Sequence, residues 1–272
     1  IKQVISDELA AVNKKHVTPR KTGLVEPGDI VEVSLEPEVE EYPVTMMLSR
    51  DGYLKKMTER VLRKATTLKY KDGDEPFIEF PSSNTHELLV FTDQRQVYKC
   101  KVAQFEDTKS AQLGSYLPTD LGMDPDESVI WVIDPEDYKA DVLFVFENGR
   151  VARVALAGYA TKTNRKRLKN AIYGGSKLLF ATVLKEDRDL ALVSSDQRLI
   201  NFNTSLLKTK TTNSTQGVQA FTAKNGRIVT MVGTAEEFLG GTASVEKFRA
   251  ASLPSSGSPM KETDMKSLFD LE

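Results

Sequence analysis

Residues 141–154 read DVLFVFENGRVARV, and their order of apolar and polar positions recurs without gaps in three further stretches. These are VTMMLSRDGYLKKM from Val44, ELLVFTDQRQVYKC from Glu87 and DLALVSSDQRLINF from Asp189, with successive starts 43, 54 and 48 residues apart. Each is apolar at its third to fifth positions (Met46–Leu48, Leu89–Phe91, Leu143–Val145, Ala191–Val193) and then turns on a polar pair: Asp51-Gly52, Gln94-Arg95, Asn148-Gly149 or Asp196-Gln197. Asp-Gly and Asn-Gly accept positive φ and so favour tight hairpins. After the turn come an apolar column (Leu54, Val97, Val151, Leu199), a polar one (Lys56, Lys99, Arg153, Asn201) and another apolar one (Met57, Cys100, Val154, Phe202). Each stretch is predicted to be a β-hairpin. Further strands are expected at residues 128–133, 177–184 and 226–232. Hairpins at this interval with strand between them mark radially stacked blades, so the prediction is an all-β, propeller-like assembly of about four blades. A helical solenoid would show 3.6-residue stripes within each unit, and none is found.

On either side of the repeats the pattern changes. Residues 2–17 place Val4, Ile5, Leu9, Val12 and Val17 near helical spacing, with Lys14 and Lys15 late and Pro19 blocking continuation, which predicts a short N-terminal helix. Residues 23–39 read as a connector with one or two short strands. The stretch 252–259 is rich in Ser, Pro and Gly and precedes an acidic end, so residues 240–272 are expected to form a flexible tail. The expected organisation is thus 1–43 as helix and entry strand, 44–239 as the blades, and 240–272 as the tail. The first residue is isoleucine, so the chain is expected to be a piece of a longer protein or a processed form.

The 272 residues are 40% hydrophobic and 28% charged, enough to fill a core, and the longest apolar runs fall far short of the ~20 residues that cross a bilayer. One cysteine and two histidines leave no zinc or haem cluster and no internal disulfide, so neither metal nor cofactor is expected. Cys100 shares a column with Met57, Val154 and Phe202 and is read as a core residue. His16 ends the first helix and His86 reads as a loop residue. The pairs Gly174-Gly175 and Gly240-Gly241 lack the Lys-Ser/Thr of a phosphate loop, and Asp124–Glu127 lacks the spacing of a calcium loop. No catalytic residue is assigned.

Charge placement says more than charge total. The chain carries net −2, yet residues 44–233 carry +5, between flanks of −4 (1–43) and −3 (234–272). The basic residues bunch: Lys55, Lys56, Arg60, Arg63, Lys64, Lys69 and Lys71 after the first hairpin, and Lys162, Arg165, Lys166, Arg167 and Lys169 after the third. Smaller sets, Lys99 with Lys101 and Lys208 with Lys210, occupy related places in the second and fourth. Clusters recurring at one place in a radial repeat predict a basic stripe suited to a polyanion backbone. The alternative is that these residues only solvate edge strands, leaving a propeller that serves as a protein-interaction module.

The stretch Ser49–Lys56 (SRDGYLKK) resembles the repeats of the C-terminal domain of the type IIA topoisomerase A subunit, found in bacterial DNA gyrase and topoisomerase IV. So do Thr85–Thr92 leading to Gln96–Tyr98, Glu147–Arg153, and Thr215–Val218. Asp7-Glu8-Leu9 followed by Arg20-Lys21-Thr22 is similar to the end of that family's coiled-coil region and its entry strand. The resemblance covers roughly residues 1–233. It implies a β-pinwheel, a disc with strands exchanged between blades, that binds and bends duplex DNA around its rim without reading sequence. It further implies the remainder of the A subunit and the ATPase B subunit as partners, and a bacterial cytoplasmic, nucleoid-associated setting. Cleavage belongs to a tyrosine in another domain of that family, so this segment of an ATP-dependent enzyme is itself expected to be non-catalytic. Gyrase A subunits carry a box close to QRRGGKG after the first hairpin; here Arg60–Lys69 is basic without glycine, which points to a topoisomerase IV-like or divergent A subunit.

Overall fold

The computed structural model describes residues 1–18, 40–161, 166–222, 226–239 and 244–261. Two units are distinguished, 1–39 and 40–272. In the first, α1 (Lys2–His16) is exposed at every residue; its last turn carries Lys14, Lys15 and His16, and the Val17 N–H closes on Asn13 O at 2.8 Å. The connector expected at 23–39 lies outside the described residues.

The second unit is all-β. It opens with the hairpin β1 (Pro43–Ser49) and β2 (Tyr53–Thr58), followed by β3 (Pro76–Ser83), which returns to pair with β1. The second hairpin is β4 (Glu87–Thr92) and β5 (Val97–Lys101). The chain then crosses back to the first blade, where β6 (Ser115–Tyr116) pairs with β2, before β7 (Val129–Ile133) returns to β4. The third hairpin, β8 (Asp141–Phe146) and β9 (Arg150–Ala155), is followed by β10 (Arg167–Leu168) on β5 and β11 (Leu178–Leu184) on β8. The fourth, β12 (Asp189–Ser194) and β13 (Arg198–Asn203), is followed by β14 (Val218–Gln219) on β9 and β15 (Val229–Gly233) on β12. The result is four antiparallel four-stranded sheets, each of the first three completed by a short strand from the connection that follows the next hairpin.

All four hairpins share one register: Leu48 faces Leu54, Phe91 faces Val97, Val145 faces Val151 and Val193 faces Leu199. The first strands are continuously apolar because both faces of a blade are covered, and alternate residues serve alternate neighbours. Leu88 and Val90 pack toward the first blade, Leu89 and Phe91 toward the third. Val142 and Phe144 face the second blade, Leu143 and Val145 the fourth. On the axial side β11 touches β7 and β15, and rings link the inner strands: Phe77 to Trp131 at 5.3 Å and Trp131 to Phe180 at 5.7 Å. None of the four apolar clusters among the described residues joins the first blade to the fourth.

The expected tail is corrected in part. Residues 244–261 are folded: β16 (Ser258–Pro259) pairs with β13, in the position the exchanged strands hold in the other blades. With the helical turns Ala235–Phe238 and Val245–Phe248, this segment lays Leu239, Phe248 and Met260 over Ala191, Val193 and Leu199, so the blade region runs to 261. Ser-Pro-Gly composition suggests disorder, but a few apolar side chains suffice when a sheet face needs covering. Residues 262–272 lie outside the described residues.

Candidate nucleic-acid interface

The turns are built as the sequence pattern demands. Gly52, Arg95, Gly149 and Gln197 occupy one column and all four have positive φ, from +55° to +88°. The exchanged strands have their own device: Gly114 and Gly217 immediately precede β6 and β14 at φ +95° and +65°. A Cβ on them would lie 2.4 Å from Leu54 O and 2.1 Å from Val151 O, so only glycine lets the crossing chain approach the hairpin.

The crossing segments run along the second strand of each hairpin. The Thr108 N–H donates to Lys56 O at 2.6 Å, Lys99 N–H to Lys166 O at 2.8 Å, Lys210 N–H to Arg153 O at 2.8 Å and Ala250 N–H to Asn201 O at 2.8 Å. The outer edge is therefore made of short segments fastened to the polar column, and this is where the basic residues divide into two groups.

The first group is internal. Lys55 is 1% exposed; its Nζ donates to the carbonyls of Lys69 and of Gln112 (2.8 Å) and lies 4.8 Å from the centre of the Tyr70 ring. Burial lowers its pKa. Lys56, also buried, pairs with Asp107 at 3.0 Å and donates to Phe105 O at 3.2 Å. Burial works against its charge, but Asp107 and Tyr42 outweigh it and its pKa is raised. Lys99, with its side chain 10% exposed, lies 3.4 Å from Glu87 and over the Tyr138 ring. Arg167, on β10, binds Asp124 and Gln96 and lies 5.4 Å from the Tyr98 ring centre, which pins the exchanged strand to the second blade. Its guanidinium holds the Asp124 carboxyl below the usual carboxylate range. Sequence spacing places Lys55, Lys56, Lys99 and Arg167 among phosphate contacts. Burial corrects that reading for Lys55 and Lys56, while Lys99 and Arg167 are already engaged by acids.

The second group is exposed: Arg60, Arg63, Lys64, Lys69 and Lys101, then Lys166 and Lys169 beside β10, and Lys208 and Lys210 on the crossing from the fourth blade to the third. Arg63 is engaged by Glu59 on its own helical turn. Lys162 and Arg165 lie outside the described residues. The exposed set is interrupted at Asp107 on the first blade, and on the fourth by Arg249, which pairs with Asp189 at 2.7 Å. Two further basic residues lie outside the basic clusters expected from sequence. Arg95 and Lys177 line a cleft of about 400 Å³ between the second and third blades, together with Asp93 and Ser176. The turn column is the only signal for Arg95.

Elsewhere the chemistry is quiet. Burial pushes the Cys100 thiol up to about 12, as befits a core residue. The axial cleft, about 320 Å³, is lined by Trp131 and Phe180 with the acids Glu79, Asp134 and Glu136. Asp134 accepts from Ser82 at 2.6 Å and lies 2.7 Å from His86 Nδ1. Among the described residues no group of acids, histidines and cysteine is placed to hold a metal, and no helix is long and apolar enough to cross a membrane.

No protein-family model matches the chain. Among solved structures, the C-terminal domain of DNA topoisomerase IV superposes with a TM-score of 0.59 at 22% identity, covering 71% of this chain and 61% of that one. The E. coli ParC C-terminal domain gives 0.61 at 15% identity over 82% and 95%, and the DNA gyrase A C-terminal domain 0.55 at 15% over 82% and 80%. The four blades with exchanged strands are the β-pinwheel found in the C-terminal domains of topoisomerase A subunits. The sequence relatives are more particular and include A subunits of topoisomerase IV. The DNA topoisomerase 4 A subunit of Bacillus subtilis is 27% identical over 170 residues, 61% of this chain, and that of Staphylococcus epidermidis 23% over 210 residues, 75% of this chain. The matches span 21% and 26% of those proteins, so the chain corresponds to about a quarter of their length or less.

Proposed function

We propose that this chain binds duplex DNA through the outer edge of its middle blades, as the C-terminal domain of a topoisomerase A subunit. The observation that carries the reading is that Lys166 and Lys169, and Lys208 and Lys210, stand exposed on the crossing segments of two successive blades, on the side away from the acidic axial cleft. Spaced ammonium groups on a fastened edge suit a phosphate backbone, and nothing among them forms a base-reading fork. Binding is then sequence-independent, and the crossing edge favours a bent path for the duplex. In this reading the remainder of the A subunit and the ATPase B subunit supply cleavage and energy, and the assembly changes DNA topology in the bacterial cytoplasm. The relatives and the glycine-free stretch Arg60–Lys69 favour a topoisomerase IV-like role over gyrase-like wrapping.

The test is a fluorescence-anisotropy titration of two unrelated linear duplexes over a salt series. We expect log K to fall linearly with log salt. The variant K166E/K169E/K208E/K210E should lose about 3–4 from that slope and weaken both duplexes alike. Absence of binding at low salt, or a slope the variant leaves unchanged, would overturn the reading.

A further inference from the structure

Lys55 stands at a position where the other repeats are apolar or aromatic: the same column holds Tyr98, Ala152 and Ile200, each packed against the preceding blade. Among the described residues no blade precedes the first, and against its far face lies its own connection, residues 59–71: the helical turn Glu59–Leu62 touches β1 and β2, and the Lys69 carbonyl and the Tyr70 ring meet Lys55. A lysine taken out of water is expensive, and a methionine would fill the space beside Met57 at less cost. Among the described residues the ammonium has no carboxylate partner. It is held by two carbonyls from two different segments, Lys69 O from the cover and Gln112 O from the crossing chain, and the Lys69 N–H in turn donates to Ser110 O at 2.9 Å. Lys69 is thus fastened through both its N–H and its carbonyl, and the segment so fastened carries the exposed Arg60, Lys64 and Lys69.

We propose that Lys55 is a positioning residue: it never meets a ligand, and it fixes the basic cover of the first blade in one orientation so that its cations act together on a polyanion. The inference rests on the DNA-binding reading above and adds the first blade's cover as a second contact region. Without the clamp the cations remain but their separations fluctuate, and each contact must then repay the ordering of its segment.

A double-mutant cycle tests it. K55M should keep the far-ultraviolet spectrum of the native chain, weaken duplex binding about 10–100-fold at about 0.1 M salt and lower the salt slope by about 2–3. R60Q/K64Q/K69Q should produce a similar loss, and adding K55M to that triple variant should change neither affinity nor slope further. Should K55M fail to fold, K55Q retains donors for the two carbonyls and goes through the same cycle: its smaller loss should also vanish in the triple background. Native binding by K55M, or a loss that adds in full to that of the triple variant, overturns the positioning role. A native chain that binds no DNA at low salt overturns the parent reading instead, so the two failures are distinct.

Discussion

The two ends of the blade stack solve one problem in opposite ways. A blade is apolar on both faces, and at either end of the stack one face lacks a neighbouring blade among the described residues. At the first end the bare face holds Thr45, Met47, Lys55 and Met57, and the cover is the connection within the blade, basic and held by a buried ammonium. At the fourth end the bare face holds Ala191, Val193 and Leu199, and the cover is the segment beyond the last strand, held by Ala235, Leu239, Phe248 and Met260 and bearing Glu236, Glu237 and Glu246 beside Lys247, Arg249 and Lys261 at its surface, so that its charges balance. The lesson is electrostatic as well as steric. The lid with a surplus of cations belongs to the end proposed to meet DNA, and the lid whose charges balance belongs to the end that does not.

The comparison breaks most visibly if the fourth-end lid is loosened. Phe248 is 2% exposed and is the largest buried side chain of that lid's apolar cluster. Phe248→Ala should cost about 3–5 kcal/mol of stability in urea unfolding while leaving the salt slope of DNA binding at its native value. A loss under about 1 kcal/mol would mean the segment only rests on the sheet. An intermediate effect is expected where the crossing chains pass the hairpins. Gly114→Ala and Gly217→Ala each set a Cβ against a backbone carbonyl at positive φ and should cost about 1–3 kcal/mol. Gly114 adjoins Lys55, whose Cγ lies 3.0 Å from the added carbon, so G114A should also weaken DNA binding whereas G217A should leave the first cover's contribution intact. Equal effects of the two on binding would refute a special role for the first end.

What the sequence discloses follows from which features have a period. Hairpins are legible because alternation and turn recur in every repeat, and the strands expected over 128–133, 177–184 and 226–232 lie within a few residues of those bounds. The exchanged strands are not legible: two residues of pairing leave no periodicity, and their only trace is a single glycine one residue ahead, as at Gly114, Gly217 and Gly257. The fourth-end lid reads as a tail in sequence because Phe248 and Met260 are too far apart to form a pattern. For the basic residues, spacing locates a cluster without its depth. Lys55 and Lys56 are neighbours of Arg60 in sequence, yet both are buried and Arg60 is exposed, since strand residues face blades while the next turn faces solvent. Lys99 and Arg153 share the polar column with Lys56, and each lies against an acid, Glu87 or Asp141, that a linear reading counts only as charge.

The smallest expected effect sharpens the contrast between the ends at their hairpin turns. The first blade turns on Gly52 at φ +88°, the fourth on Gln197 at φ +55°, a conformation that costs an L side chain about 1 kcal/mol relative to glycine. Gln197 keeps that conformation for a backbone reason: its carbonyl accepts the Met260 N–H at 2.9 Å, tying the lid to the turn. Gln197→Gly relieves the side-chain strain without removing that bond. The freedom glycine adds to the unfolded chain offsets part of the gain. The net expectation is about 0.5 kcal/mol of stabilisation, a rise in Tm of about 1–2 °C by calorimetry. Gln197→Ala keeps the Cβ and should give no such gain. If Q197G instead lowers Tm, the glutamine side chain is holding the lid, and the fourth end, like the first, is fastened by a polar group.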